Sequence, residues 1–159
     1  MKKIEQPPPR HPSIPPRRLV LYVEDNDDNW SVAEMRLSSV YRLIRAANDR
    51  EACALLTEHA DELYIVLMDI ELQGSRLDGI ALTKLLRGKL PLDELPEYAR
   101  DVRPSNVPVV FVTAYHSAFG AAALTEAGGN LVVPKPVEFR RLIRELTSMH
   151  LNAIGDTKP

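Results

Sequence analysis

The chain has 159 residues, is 45% hydrophobic and 26% charged, and carries a formal charge of −2 at neutral pH. That length and apolar content bury one sizeable core and not comfortably two, so one domain is expected. The near-neutral charge gives no reason to expect nucleic acid or an anionic membrane as the main partner, and the single cysteine, Cys53, excludes an internal disulfide and a cysteine-rich zinc site.

Residues 1–18 hold six prolines together with Lys2, Lys3, Arg10, Arg17 and Arg18. With little to bury, they are expected to form a disordered, proline-rich basic arm; a ligand for a proline-recognition module is the alternative. Lys2-Lys3 runs into polar and proline residues instead of the apolar core of a signal peptide, and no stretch approaches the roughly 20 apolar residues of a membrane span. A cytoplasmic location is the expectation.

Leu19-Val20-Leu21-Tyr22-Val23 has the length and β-branched content of a strand buried on both faces, and it ends in Glu24 and Asp25. Trp30, Ala33, Leu37 and Val40 then recur at helical spacing behind Asp27 and Asp28, which read as the caps. Tyr41 to Ala46 reads as a second strand. Asn48 with Glu51 forms a capping-box pattern, and Ala52, Leu55, Leu56 and His59 share one face of the helix that follows. His59 has no second histidine or acid spaced to join it in a metal site, so it is expected to be a half-buried face residue.

Ile65 to Asp69 is the next buried strand and again ends in a carboxylate. Gly79 to Arg87 reads as a helix with Leu82, Leu85 and Leu86 inward, and Val109 to Val112 as a strand ending in Thr113. Ser117 to Ala127 reads as an alanine-rich helix closed by Gly128-Gly129, the left-handed C-cap turn. Leu131 to Val133 is a last short strand, followed by Pro134-Lys135-Pro136. The final helix is expected from about Val137 to Leu151, burying Phe139, Leu142, Ile143, Leu146 and Met149.

Strands alternating with helices predict an α/β, doubly wound parallel sheet with helices on both faces. One segment breaks the rhythm: residues 88–106 span 19 positions where such connections take about 2–6. Pro91, Pro96 and Pro104 forbid one long helix there, although Pro96 to Arg100 can begin a short one. So long an insertion is expected to be either functional or mobile.

The carboxyl ends of four of these strands carry Glu24 and Asp25, Asp69, Thr113 and Lys135. Ends of parallel strands lie side by side, and ligands of open α/β sheets bind there, so the five residues are expected to share one crevice. A plainer reading is that Glu24, Asp25, Asp27 and Asp28 only cap and charge the next helix. Three carboxylates against one lysine leave a deficit of about two positive charges, which invites a divalent cation with oxygen ligands, Mg2+ above all. In such a site a carboxylate can attack phosphorus while the Thr113 hydroxyl and the Lys135 ammonium stabilise the transferring group.

The segments VLYVEDN, LMDI, Asp78-Gly79, VTAY and PKP resemble, in that order, the motifs of the response-regulator receiver domain of two-component signalling, in its stand-alone, chemotaxis-regulator-like form. The match covers about Leu19 to Leu151. It implies a flavodoxin-like five-stranded sheet of order 2-1-3-4-5, a receiver domain over 19–151 that includes the insertion 88–106, and a short tail over 152–159 with no output domain. It also implies Asp69 as phosphoacceptor, Glu24 and Asp25 as the acidic pair for Mg2+, Glu71 as donor of a backbone carbonyl to the metal, Thr113 as the switch hydroxyl and Lys135 as the phosphate-pairing lysine. A sensor histidine kinase or a phosphotransfer protein is the implied donor and an unknown downstream protein the receiver of the signal. A homodimer stays open.

The chain departs from the family pattern at three places. The loop from Asp69 to Asp78-Gly79 is two residues longer than usual, with Gln73-Gly74-Ser75 where methionine and proline are common, and the 88–106 insertion is likewise unusual. Val132 stands where receivers carry an aromatic residue that swings inward on activation. Valine has too little reach to report in that way, and Tyr115 is the candidate to take over part of the gating. A receiver-like interaction module without phosphoryl control is therefore the alternative function. An enzyme is not expected: only Glu71, two residues after Asp69, speaks for an aspartyl phosphatase.

Overall fold

Every residue of Leu19–Val23 and of Val109–Thr113 is buried, as befits strands covered on both faces. The computed structural model describes residues 15–114 and 120–155. Among them, strands β1 (Leu19–Val23), β2 (Arg42–Ala46), β3 (Leu63–Asp69), β4 (Val109–Thr113) and β5 (Leu131–Pro134) alternate with helices α1 (Asp27–Leu37), α2 (Asp49–Glu58), α3 (Gly79–Leu86), α4 (Ala121–Ala127) and α5 (Phe139–Gly155). The strands form one sheet of order β2-β1-β3-β4-β5, and all of its pairings are parallel.

Alternate side chains of the sheet feed two cores. Leu21, Val23, Val66, Met68 and Phe111 point to the side covered by α2, α3 and α4, where they meet Cys53, Leu56, Leu82, Leu86 and Leu124. Val20, Tyr22, Ile65, Leu67, Val110 and Val112 point to the other side and meet Ala33 and Leu37 of α1 and Leu142 and Leu146 of α5. The period-2 alternation of the strands thus decides which helices lie on which face. Cys53 packs in the first core as a small hydrophobe, its thiol pushed up to about 12 by burial and by the neighbouring Asp49. No helix among the described residues is long and apolar enough to cross a membrane.

The predicted caps of α1 shift by one residue. Asn26, in extended conformation, is the N-cap and its side chain accepts the Asn29 amide at 2.9 Å, while Asp27 and Asp28 occupy the first turn. An amide oxygen placed before the helix reaches the free N–H groups; carboxylates one residue later serve the helix dipole instead. Asn26→Ala is therefore expected to remove about 1 kcal/mol, seen as a drop of about 2–4 °C in thermal unfolding, with a smaller loss for Asp28→Ala. Val40 falls beyond the end of α1 and is 41% exposed. His59 caps the end of α2 and pairs with Glu62.

The insertion between α3 and β4 is packed down. It contains 3₁₀ turns at Leu92–Glu94 and Glu97–Ala99, and it buries Leu95, Ala99 and Val102 in the α2/α3 core. Its far end is tied by Arg87, whose guanidinium donates to the carbonyls of Ser105 at 2.8 Å and Gly128 at 3.1 Å. Gly128 closes α4 with φ of 102°, the left-handed turn expected there. The predicted first turn of α4, from Ser117, lies outside the described residues.

Candidate functional site

Strand register gathers the site. Val23 pairs with Met68, so Glu24 emerges beside Asp69. Asp69 pairs with Val112 and Thr113 pairs with Pro134, so Thr113 and Lys135 follow at the same edge of the sheet. These strand ends open on one cleft of about 250 Å³, which Glu24, Asp25, Asp69, Glu71, Thr113 and Lys135 all line.

Lys135 sits at its centre. The ammonium donates to Glu24 Oε2 at 2.8 Å and to Asp69 Oδ2 at 3.0 Å, bridging two buried carboxylates. Its backbone amide donates to the Thr113 carbonyl at 2.9 Å, which fixes the end of β5 against the end of β4. Glu24 is fully buried and well served: Oε1 accepts the Asn26 amide at 3.0 Å and Oε2 also accepts the Tyr22 hydroxyl at 3.1 Å. Asp25 is half-buried, and its Oδ2 accepts the Gln73 amide at 2.9 Å. Thr113 is buried, and Glu71 lies exposed on the rim. Tyr115, the candidate gating residue, lies outside the described residues.

Oxygens of Glu24, Asp25 and Asp69 fall within 4.8 Å of one another. Burial pushes the Asp69 carboxyl up to about 6; Lys135 opposes that rise, and the Glu24 and Asp25 charges add to it. Burial works to lower the Lys135 ammonium, but its bonds to Glu24 and Asp69 outweigh burial and hold it above the ordinary lysine value. A cluster of three carboxylates with one ammonium lacks positive charge, and a hard divalent cation among these oxygens is the physical remedy. The donor set is all oxygen and partly open to water, as Mg2+ requires.

Helix α3 approaches Asp69 more closely than a side chain permits. The Gly79 amide donates to the Ile70 carbonyl at 2.9 Å, and a Cβ on Gly79 would lie 2.0 Å from the Asp69 carbonyl oxygen. The pair Asp78-Gly79 therefore has two jobs, since the Asp78 side chain caps α3 by accepting the Ala81 amide at 2.8 Å.

Several contributors to the site are invisible in the sequence pattern. Arg45, at the end of β2, donates to the Glu24 carbonyl at 3.0 Å and the Asp25 carbonyl at 3.1 Å, and pairs with Asp27 at 2.8 Å. Its pairing opposite Tyr22 was the only signal, and that needed the register of β2. Gln73 contributes through its backbone, so its residue type carried no hint at all.

Comparison with known proteins agrees with this geometry. The model of the response regulator receiver domain family matches residues 20–147. Polar-differentiation response regulator DivK of Brucella anthropi is 31% identical over 130 residues, which cover 81% of this chain and 93% of the relative. Among solved structures, the receiver domain of sensor histidine kinase PA1611 from Pseudomonas aeruginosa, with a magnesium ion in its active site cleft, superposes with a TM-score of 0.65 at 28% identity, covering 83% of this chain and 96% of that one. A CheY-like receiver domain protein from Methanospirillum hungatei shares the fold, with a TM-score of 0.63 at 22% identity over 84% of this chain and 93% of its own. A five-stranded sheet of order 2-1-3-4-5, an acidic cleft at its carboxyl edge and a family match over most of the chain lead to one assignment: this protein belongs to the response regulator receiver domain family of two-component signalling.

Proposed function

We propose that the chain is a phosphoryl-accepting signalling switch, with Asp69 as the acceptor. The observation that carries this reading is the Asp69 carboxylate held at 3.0 Å by the Lys135 ammonium, beside two further acids within 4.8 Å. One Asp69 oxygen attacks the phosphorus of a phosphohistidine on a sensor kinase or phosphotransfer protein. The phosphorus–nitrogen bond breaks, its electron pair stays on the imidazole nitrogen, and an acyl phosphate remains on Asp69. Lys135 pairs with the incoming phosphoryl oxygens, and the Thr113 hydroxyl donates to them. Glu24, Asp25, Asp69 and the Glu71 backbone carbonyl would hold Mg2+, which would supply positive charge to neutralise the phosphoryl oxygens.

The phosphoryl group stays on the chain, so the protein acts as a switch and not as a turnover enzyme. Added charge at one edge of the sheet biases a two-state equilibrium that a downstream protein reads. The near-neutral net charge and the lone buried Cys53 are in keeping with a cytoplasmic protein that binds neither nucleic acid nor membrane as its main partner. A second reading, an interaction module outside phosphoryl control, draws on Val132, which packs half-buried against the α2/α3 core in place of the usual aromatic.

Mass-resolved phosphotransfer from acetyl phosphate separates the two. With Mg2+ the wild type is expected to gain one phosphoryl group, and neither Asp69→Asn with Mg2+ nor the wild type in chelator should gain any. An unmodified wild type in Mg2+ would overturn the switch and leave the interaction module.

A further inference from the structure

The loop joining β3 to α3 is held at two points. At the cleft, the Gln73 amide donates to Asp25 Oδ2 at 2.9 Å. Farther along, the amides of Arg76 and Leu77 both donate to Asp49 Oδ2, at 3.1 and 3.0 Å, and the Asp49 amide donates to Ser75 Oγ at 3.1 Å. Asp49 is the first residue of α2 and is 3% exposed. The same Oδ2 also accepts the hydroxyl of Tyr98, which comes from the second 3₁₀ turn of the insertion.

Tyr98 is itself held in place. The Arg50 guanidinium lies over its ring at 4.5 Å, and its neighbours Leu95, Ala99 and Val102 are buried. Burial works to raise the Asp49 carboxyl, but the Tyr98 hydroxyl and the two amides outweigh it and hold the group ionised, below its ordinary value. A loop two residues longer than the family's usual one has more backbone to order, and here the added fastening comes from the other unusual segment of the chain.

We propose that Asp49 and Tyr98 are positioning residues for the Mg2+ site: they clamp the β3–α3 loop so that the Gln73 amide orients Asp25, and through it the insertion 88–106 sets the metal affinity. The inference rests on the reading of the cleft as an Mg2+ site. Groups that orient a metal ligand from outside typically change affinity about 10–100-fold when removed, and Tyr98 acts one bond farther out, so a loss of about three- to tenfold is expected.

The test uses the full chain and Mg2+ alone. Titration calorimetry of wild type, Tyr98→Phe, Asp49→Ala and Leu92→Ala is paired with thermal unfolding and NMR-detected exchange of the Gln73 amide without metal. Tyr98→Phe is expected to bind Mg2+ about three- to tenfold more weakly and to lose protection at Gln73, and Asp49→Ala at least as much. Leu92→Ala, a 71% exposed residue of the same insertion, should match wild type in both. Should Tyr98→Phe unfold at a lower temperature yet keep wild-type Mg2+ affinity and Gln73 protection, the clamp is structural only and the proposal fails. No Mg2+ binding by the wild type would overturn both this proposal and the function it rests on, whereas unaltered binding by the variants overturns this proposal alone.

Discussion

Asp69→Asn is expected to stabilise the metal-free protein at pH 7 by about 2 kcal/mol, the roughly 3 kcal/mol of its carboxyl shift reduced for solvent screening at the open cleft, a rise of about 4–8 °C in melting temperature. The Asp69 carboxyl is raised to about 6 in the folded chain, chiefly by burial, from an ordinary value of 3.8. Folded protein therefore takes up a proton at higher pH than unfolded protein does. Stability falls as pH rises between about 4 and about 6, and the full penalty is present above about 6. Asparagine carries no charge and escapes it. The gain should shrink as pH falls and vanish near pH 4, where the wild-type carboxyl is protonated in both states. Saturating Mg2+ should reverse the order: a ligand at about 100 times its dissociation constant adds about 2.7 kcal/mol, which the variant forgoes in large part. Melting curves across this pH range, in chelator and in Mg2+, check both signs. A pH-independent gain would mean that like charge and burial at Asp69 are not its cause.

Gly79→Ala is the most damaging single methyl group foreseen. The added carbon would lie 2.0 Å from the Asp69 carbonyl oxygen and 2.9 Å from both Asp69 C and Ile70 Cα. All three are backbone atoms, so no side-chain rotation relieves the clash. The start of α3 must move away, giving up the Gly79–Ile70 hydrogen bond and loosening Leu82 and Leu86, both buried against the sheet. A loss of about 3 kcal/mol or more follows, a fall of about 6–12 °C in melting temperature. Because the strained contact is with Asp69 itself, the phosphoryl uptake proposed for Asp69 should fall by about 100-fold in protein that still folds, as expected for a reacting group displaced by about 1 Å. Asp78→Ala, which loses only the helix cap, should cost about 1 kcal/mol and spare the rate of uptake. An alanine variant that melts with wild type would refute the close approach.

Strands β1, β3 and β4 were legible because burial on both faces writes an unbroken apolar run, and the site was legible because parallel strands that stop together bring their next residues together. Glu24, Asp25, Asp69, Thr113 and Lys135 were found in that way, and all line one cleft. What stayed hidden depends on contacts between side chain and backbone across long stretches of chain. Asn26 displaced Asp27 and Asp28 as the cap because position relative to the first free amides matters more than charge. Arg45 reads as one more strand-edge cation until β2 is laid beside β1, where it reaches two carbonyls. The 88–106 insertion stayed open because Pro91, Pro96 and Pro104 break it into pieces too short to assign a buried face, although Leu95, Ala99 and Val102 stand at helical spacing; the structure packs those three onto α2 and α3.

The place of β1 between β2 and β3 also governs how the chain is built. The inner strand is made first, and parallel pairing rules out a local hairpin, so both of its edges stay bare until Arg42–Ala46 and then Leu63–Asp69 have followed. Closing such loops before any ladder forms is slow, and ribosome-bound or refolding chains will expose a sticky apolar ribbon during that interval. The acids at its tip, destined for the cleft, meanwhile act as gatekeepers against pairing with another nascent chain.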